Sequence, residues 1–363
     1  MAKEISFSVD GFEFSTDEGQ TILNAALDNG IYIPHLCHHP DLEPVGVCRL
    51  CGVELEGKGL VMSCVTPVEE GMALYTNTNE VISSRRVALE LLIARHHFDC
   101  IACAARDNCA LLNLASYAGV DGDWVGQLGH PKELMPVDSS NPFFTFDPNK
   151  CVLCGICVRT CNELQGRHAI DFMNRGAEAT IGTFGNLSFI ESVCESCGEC
   201  VVRCPVGALA FKDYHKPAYQ VYTVCSYCGV GCGLLLGVQG NELVNVEGDR
   251  EAEVNRGMLC VKGRFGYDYV DHADRLTKPL VREYLLNGGQ REDKADRGEW
   301  VEVDWDTALD LVADKLAVIK TESGPDAIGV LSSAKCTNEE NYLMQKFARQ
   351  VLGTHSVDHC ARL

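Results

Sequence analysis

All but two of the 21 cysteines in this 363-residue chain fall into five groups, and the spacing within the groups points to metal chemistry. Cys151, Cys154, Cys157 and Cys161 form one tight run; Cys194, Cys197, Cys200 and Cys204, followed by Pro205, form another. Three thiolates within seven residues wrap one cuboidal iron–sulfur cluster, and the fourth reaches across to a second one. The spacing therefore assigns Cys151, Cys154, Cys157 and Cys204 to one [4Fe–4S] cluster, and Cys194, Cys197, Cys200 and Cys161 to another. The chemistry such sites perform is one-electron transfer. Zinc also takes Cys-x2-Cys pairs, but it needs only pairs and leaves the triplets unexplained.

The remaining groups are variants of the same theme. Cys37, Cys48, Cys51 and Cys64 suit a [2Fe–2S] cluster, with a longer first gap than the plant-type ferredoxin pattern. His38 and His39 adjoin Cys37, but no histidine lies near Cys48 and Cys51, so a Rieske site is rejected. Cys100, Cys103 and Cys109 are three thiols in need of a fourth ligand, and His96 and His97 just ahead of them compete for that role. Cys225, Cys228, Cys232 and Cys260 form the fifth group. Its Cys228-Gly-Val-Gly-Cys232-Gly turn lets backbone N–H groups approach a cluster sulfur, and a zinc ribbon is the alternative. Cys336 and Cys360 are left over, and Cys336 is expected to be a buried small apolar residue.

These groups need elements to hold them. Ile5–Ser15 alternates apolar and polar residues about Asp10-Gly11, a hairpin signal, and Thr21–Asn29 reads as a short helix ending at Gly30. Hairpin, helix and cysteine loop suit a β-grasp domain. Val81–His96 reads as a helix, Asn113–Pro142 as a motif-free connector and Leu243–Glu247 as a strand. Beyond Arg275 cysteine nearly disappears. Arg291–Glu299 reads as a solvated charged loop, Asp306–Ile319 as an amphipathic helix, Ala327–Leu331 as a buried strand, Asn338–Leu352 as a helix stopped by Gly353, and Ser356–Asp358 as another strand. The expected class is α+β multidomain. Its divisions are 1–79 ([2Fe–2S] β-grasp), 80–140 ([4Fe–4S] with one histidine and three cysteines), 141–216 (ferredoxin-like, two [4Fe–4S]), 217–274 (the fifth cluster) and 275–363 (the opening of an α/β domain).

Composition narrows the classes further. Hydrophobic residues at 46% and charged residues at 23% argue against disorder. A net charge of −20 argues against a nucleic-acid partner. No apolar run reaches the ~20 residues of a membrane helix, and the start lacks an apolar signal core. Arg85-Arg86 is internal and is no N-terminal address. A cytoplasmic chain with reduced, metal-binding thiols is expected.

The order of these motifs is familiar. Residues 1–216 resemble the N-terminal part of the large iron–sulfur subunit of respiratory complex I and of iron-only hydrogenases. From Tyr219 the chain resembles molybdopterin oxidoreductases, most closely the catalytic subunit of cytoplasmic NAD(P)-linked formate dehydrogenases. Arg256–Gly263, Ser332–Tyr342 and Val357–Leu363 carry that match. Asn162 departs from the proline usual there. The resemblance selects His96 over His97 as the fourth ligand and places Lys262 between the fifth cluster and a pterin. It implies one [2Fe–2S] and four [4Fe–4S] clusters, and a molybdenum or tungsten bis-pterin guanine dinucleotide in the full-length protein. Formate and carbon dioxide are the implied substrates. Flavin- and NAD(P)-binding iron–sulfur subunits are the implied partners, with a hydrogenase module as a further candidate, because no Gly-x-Gly-x-x-Gly fingerprint occurs here.

In the resembling enzymes the metal-ligating selenocysteine or cysteine follows the Val357–Leu363 stretch closely. The expectation is a reading frame ended at a UGA codon, and a 363-residue chain inactive on formate by itself, with no catalytic residue of its own. A complex-I-like subunit that keeps the pterin fold as scaffold, and a stand-alone electron-transfer module, are the competing readings.

Overall fold

The computed structural model describes residues 3–120, 133–288 and 298–360. The chain divides into two compact units, Met1–Asp213 and Tyr214–Leu363.

The first unit opens with β1 (Glu4–Val9) and β2 (Phe12–Asp17), joined at Asp10-Gly11, where both residues have positive φ as a tight hairpin requires. α1 (Ile22–Asp28) follows, then β3 (Gly52–Leu55), β4 (Gly59–Met62) and β5 (Met72–Tyr75). The sheet order is β2-β1-β5-β3-β4, with β5 parallel to β1 and the other pairs antiparallel, a β-grasp arrangement. Phe7, Ile22, Leu23, Ile33, Val53 and Leu74 are buried between sheet and helix, and Cys51 and Cys64 share that core. Thr21 caps α1 by accepting the Asn24 N–H at 3.3 Å. Thr21→Ala is expected to lose about 1 kcal/mol of stability, read as a lower urea midpoint at unchanged m.

α2 (Asn79–Arg95) starts two residues before the expected Val81, capped by Thr78. Val81, Arg85, Leu89 and Ile93, four residues apart, form its buried stripe. α3 (Ala110–Tyr117) corrects the expectation of a featureless connector from Asn113: helix continues there directly from Cys109, with Leu111 and Leu114 buried. The rest of that connector falls partly outside the described residues. β6 (Phe144–Phe146) pairs with β9 (Leu209–Phe211), and β7 (Ile170–Met173) with β8 (Thr180–Thr183). Between them stand α4 (Ile156–Arg159) and α5 (Glu199–Val202). One core joins the Leu36–Leu50 loop, α2, α3 and the segment from Phe144 to Leu209, so the cysteine loops of this unit share a rigid support.

In the second unit β10 (Tyr219–Val224), β11 (Gly233–Gln239) and β12 (Glu242–Gly248) form an antiparallel sheet, of which only β12 was expected. α6 (Val261–Phe265) follows Cys260. β13 (Leu280–Arg282) leads into α7 (Glu283–Leu286) and pairs with β14 (Trp300–Glu302). Most of the charged Arg291–Glu299 loop lies outside the described residues. α8 (Trp305–Ser323) is longer than expected and is capped by Asp304. β15 (Val330–Ser332) lies later than the expected Ala327–Leu331, because Pro325 begins a 3-10 turn that occupies 325–327; Val330 is buried while Leu331 is exposed. α9 (Asn338–Lys346) runs on as a π-turn to Leu352 and stops at Gly353 with φ 85°. β16 (Val357–His359) is parallel to β15. The stretch quoted to Leu363 is described only as far as Cys360. Cys336 is half-buried, not buried as expected, and Cys360 is exposed.

Candidate metal centres

The two ferredoxin-like runs fold alike through their third cysteine; beyond it the first continues as a π-turn, Thr160–Leu164, that contains Cys161, whereas the second leaves its helix before Cys204. In the first, Leu153 and Gly155 take φ of 53° and 72°; in the second, Ser196 and Gly198 take 57° and 77°. The backbone N–H of Leu153 points at Cys151 Sγ and that of Ser196 at Cys194 Sγ, each at 3.4 Å. Each run then enters a one-turn helix, α4 or α5. Left-handed turns of this kind aim amide hydrogens at sulfur, the kind of contact that tunes a cluster. A β-carbon on Gly155 would come within 3.0 Å of the Phe172 ring, so the first run also needs glycine for space.

Cys151, Cys154, Cys157 and Cys204 line a single hollow, closed by Phe146, Ile181 and Val206. Burial pushes the Cys151 thiol up to about 11 and Cys154 to about 12, and raises Cys157 well above the usual thiol range. After burial, the charges acting on Cys200 are first those of Cys197, Cys194 and Cys161. Thiols so raised are neutral in water-like conditions and become ligands only when a metal displaces the proton. No group of three or more histidine, cysteine or carboxylate side chains among the described residues closes on a point as a single ion requires. A cuboidal cluster is wider than an ion, and thiols around a hollow fit it better than they fit zinc.

In the β-grasp unit the thiols meet in pairs. Cys48 accepts the Cys37 S–H and is held down while Cys37 is pushed up, and Cys51 stands in the same relation to Cys64. All four are buried. The loop that carries Cys37 is gripped from the neighbouring segment. Arg159 donates to the carbonyls of Cys37 and Glu43, each at 2.5 Å. Arg203 pairs with Asp41 at 2.9 Å and with the fully buried Glu199.

His96 ends α2 and is 5% exposed, whereas His97 is half-buried. Its Nδ1 lies 3.0 Å from the Lys150 carbonyl. That bond puts the proton on Nδ1 and leaves Nε2 as the electron-pair donor. Burial holds the imidazole below its ordinary pKa, which keeps it neutral. Cys100 is raised by burial and then by Cys109 and Cys103, so those three thiols lie together. Cys103 packs on Gly207, where a β-carbon would come within 2.3 Å of its sulfur, and Ala110 N–H donates to the Pro205 carbonyl at 2.9 Å. The histidine-bearing loop therefore sits against the turn that follows Cys204.

In the second unit Asn255 ties the Cys232 turn to the loop before Cys260. It accepts from Gly233 N–H at 2.8 Å and donates to the Gly233 and Met258 carbonyls. α6 covers Cys225, and a β-carbon on Gly263 would stand 3.8 Å from its sulfur. Lys262 lies over the Tyr227 ring at 5.7 Å and is among the charges acting on Cys225. Asn338 donates to the Gly229 carbonyl at 2.7 Å, joining the cluster turn to the start of α9.

Five family descriptions match consecutive parts of the chain. They are a 2Fe-2S iron-sulfur cluster binding domain at 2–79, an NADH-ubiquinone oxidoreductase-G iron-sulfur binding region at 85–123 and a 4Fe-4S dicluster domain at 150–208. A molybdopterin oxidoreductase Fe4S4 domain follows at 219–272 and a molybdopterin oxidoreductase domain at 275–363. A Bacillus subtilis (strain 168) protein named "Putative formate dehydrogenase YrhE" is 34% identical over 99% of this chain. A Staphylococcus aureus (strain USA300) protein named "Putative formate dehydrogenase SAUSA300_2258" is 30% identical over the whole of it. The chain thus carries iron–sulfur and molybdopterin oxidoreductase domains and is similar to these two proteins. It spans about 40% of the length of these two relatives, 40% and 39% respectively. A solved NAD+-reducing [NiFe]-hydrogenase, in its H2-reduced state, is 33% identical over 57% of this chain and 87% of that one, with a TM-score of 0.49.

Within this chain, iron–sulfur and molybdopterin domains stand in one polypeptide, and the fold is the multidomain mixture of helix and sheet expected. No described helix is long and apolar enough to cross a membrane. Arg159, Arg203, Asn255 and Asn338 were not singled out in the sequence. Nothing in the spacing marks them, since each acts through a fold-made contact with a distant loop.

Proposed function

We propose that this chain is the iron–sulfur part of a formate dehydrogenase catalytic subunit, working between a molybdenum or tungsten bis-pterin site and a flavin- and NAD(P)-binding partner. Cytoplasmic placement and the five-part division at 79, 140, 216 and 274 belong to the same proposal. The observation that carries it is the single hollow lined by Cys151, Cys154, Cys157 and Cys204, a ligand set crossed between two runs.

The ligand sets follow. Cys37, Cys48, Cys51 and Cys64 hold a [2Fe–2S] cluster, and His96 with Cys100, Cys103 and Cys109 holds a [4Fe–4S] cluster. The crossed sets of the two runs hold two more, and Cys225, Cys228, Cys232 and Cys260 hold the fourth. When bound, the clusters supply one-electron transfer and the pterin-held metal supplies formate oxidation. The chain's residues set the order. Cys48 acts electrostatically on Cys154, and Cys109 on Cys204. The Cys151–Cys204 site is therefore flanked by both the [2Fe–2S] site and the histidine-bearing one. Lys262, whose charge acts on Cys225, links the fifth cluster to a pterin in this reading.

The test is the full-length protein, prepared anaerobically with its partners and analysed for iron, sulfide, molybdenum, tungsten and selenium, with EPR on reduction. About eighteen irons per chain are expected from these sets, together with molybdenum or tungsten. Zinc in the cysteine sites and no paramagnetic signal on reduction would overturn the proposal.

A further inference from the structure

Two arginines lie inside the first unit where a cation needs an explanation. Arg85 is 8% exposed and Arg159 is 9% exposed. Arg85 donates to the Gly52 carbonyl through Nε and Nη2, at 3.2 and 2.8 Å, and to the Thr76 carbonyl through Nη1 at 3.0 Å. Arg159 donates to the Cys37 and Glu43 carbonyls, and its Nε has no partner. The acids nearby form no ion pair with them: Asp10 accepts the Thr76 N–H and hydroxyl and acts on Arg85 only from a distance, and Glu163 accepts the Glu43 N–H. Neither arginine pairs with a carboxylate among the described residues, whereas buried Arg203 has two.

Carbonyl bonds satisfy the N–H donors of a guanidinium but leave its charge uncancelled, and an uncancelled buried charge costs several kcal/mol. Both side chains end on the backbone of the same ligand set. Arg159 reaches Cys37 from α4, and Arg85 reaches Gly52, beside Cys51, from α2. Cys51 is also among the charges that act on Arg85. Four thiolates around a [2Fe–2S] core carry a net negative charge beside both cations, neither of which is joined by an ion pair to a carboxylate among the described residues.

We propose that Arg85 and Arg159 are the resident counter-cations of the Cys37, Cys48, Cys51 and Cys64 centre, and that they raise its reduction potential. The inference rests on the ligand set proposed above. Reduction adds one electron to the site, given up by a reduced [4Fe–4S] centre such as that of the neighbouring Cys154 set. A guanidinium stays protonated throughout, so no proton moves and no bond is made or broken. Net charge and burial are the levers that set such potentials.

The test is an EPR-monitored redox titration of the full-length protein with its partners. Arg85→Met and Arg159→Met are each expected to lower the reduced-to-oxidised ratio of the [2Fe–2S] signal at least tenfold at fixed potential, a 59 mV shift for one electron. Arg159→Lys, which keeps the charge and loses the forked carbonyl contact, is expected to shift the potential by less than half as much. Met variants within threefold of the unaltered protein overturn the inference. Should a Met variant fail to take up its cluster, the unaltered protein still decides. Its midpoint is expected to be constant from pH 6 to 8. A fall approaching 59 mV per pH unit would mean that His38, beside Arg159, or His35, packed on His38, takes up a compensating proton, and would equally overturn it. Absence of any [2Fe–2S] signal in the unaltered protein sinks the ligand set itself, a result distinct from an unshifted one.

Discussion

Cys161→Ala is expected to cost the full-length protein about four irons per chain, and the cluster it removes is that of the Cys194–Cys200 run, not that of its own run. The prediction turns on which thiols act on which. The charges on Cys197 and Cys200 include Cys161, while Cys204 joins the hollow of Cys151, Cys154 and Cys157. Double variants make it decisive. Cys161→Ala with Cys194→Ala is expected to lose no more iron than either change alone, because both strike one cluster. Cys161→Ala with Cys151→Ala is expected to lose about eight irons. Iron analysis and EPR of the reduced protein read the result, and the reverse pattern would show that each run closes on itself.

Arg203→Met is expected to destabilise the first unit by about 3–5 kcal/mol. Glu199 is fully buried, and its ion pair with Arg203 is what cancels its charge; Asp41, partly exposed, draws the same guanidinium toward the Cys37 loop. Removing one partner of a buried pair leaves an uncompensated charge, which costs far more than an exposed pair is worth. For a unit of this size that corresponds to a Tm drop on the order of 10 °C. Arg203→Met combined with Glu199→Gln is expected to recover a large part of the loss, since no charge is then stranded. A single-variant loss below about 1 kcal/mol in thermal unfolding would show that water reaches Glu199.

Much of this architecture is legible in the residues alone, and the parts that are not share a cause. Asp10-Gly11 announces its hairpin because the turn demands positive φ, and Gly353 announces the end of its helix for the same reason. Cysteine spacing is local, so the cysteine runs could be read directly. β10 could not, because Tyr219, Val221, Tyr222 and Val224 are all exposed and show no alternation between faces. α3 was hidden because it is two turns long and begins on a candidate ligand, so its first turn reads as part of the cysteine loop. The shift of β15 traces to one proline. The buried arginines are the instructive case. A sequence displays a charge but not its depth. Arg85 alone left a clue, standing four residues from Val81 and Leu89 on the apolar stripe of α2. Arg159 and Arg203 left none, since the loop they hold lies more than a hundred residues away.

The exchange of Cys161 and Cys204 between the two runs, as proposed above, also bears on biogenesis. A cluster whose fourth ligand lies in the other run cannot be completed while the chain is still emerging: Cys151, Cys154 and Cys157 must wait for Cys204 to be synthesised and for β9 to dock on β6. Iron insertion at the pair thus becomes a joint, late event, and a nascent chain arrested between the runs presents an open triplet to solvent. Such an intermediate must stay reduced, since three neighbouring thiols are open to disulfide formation.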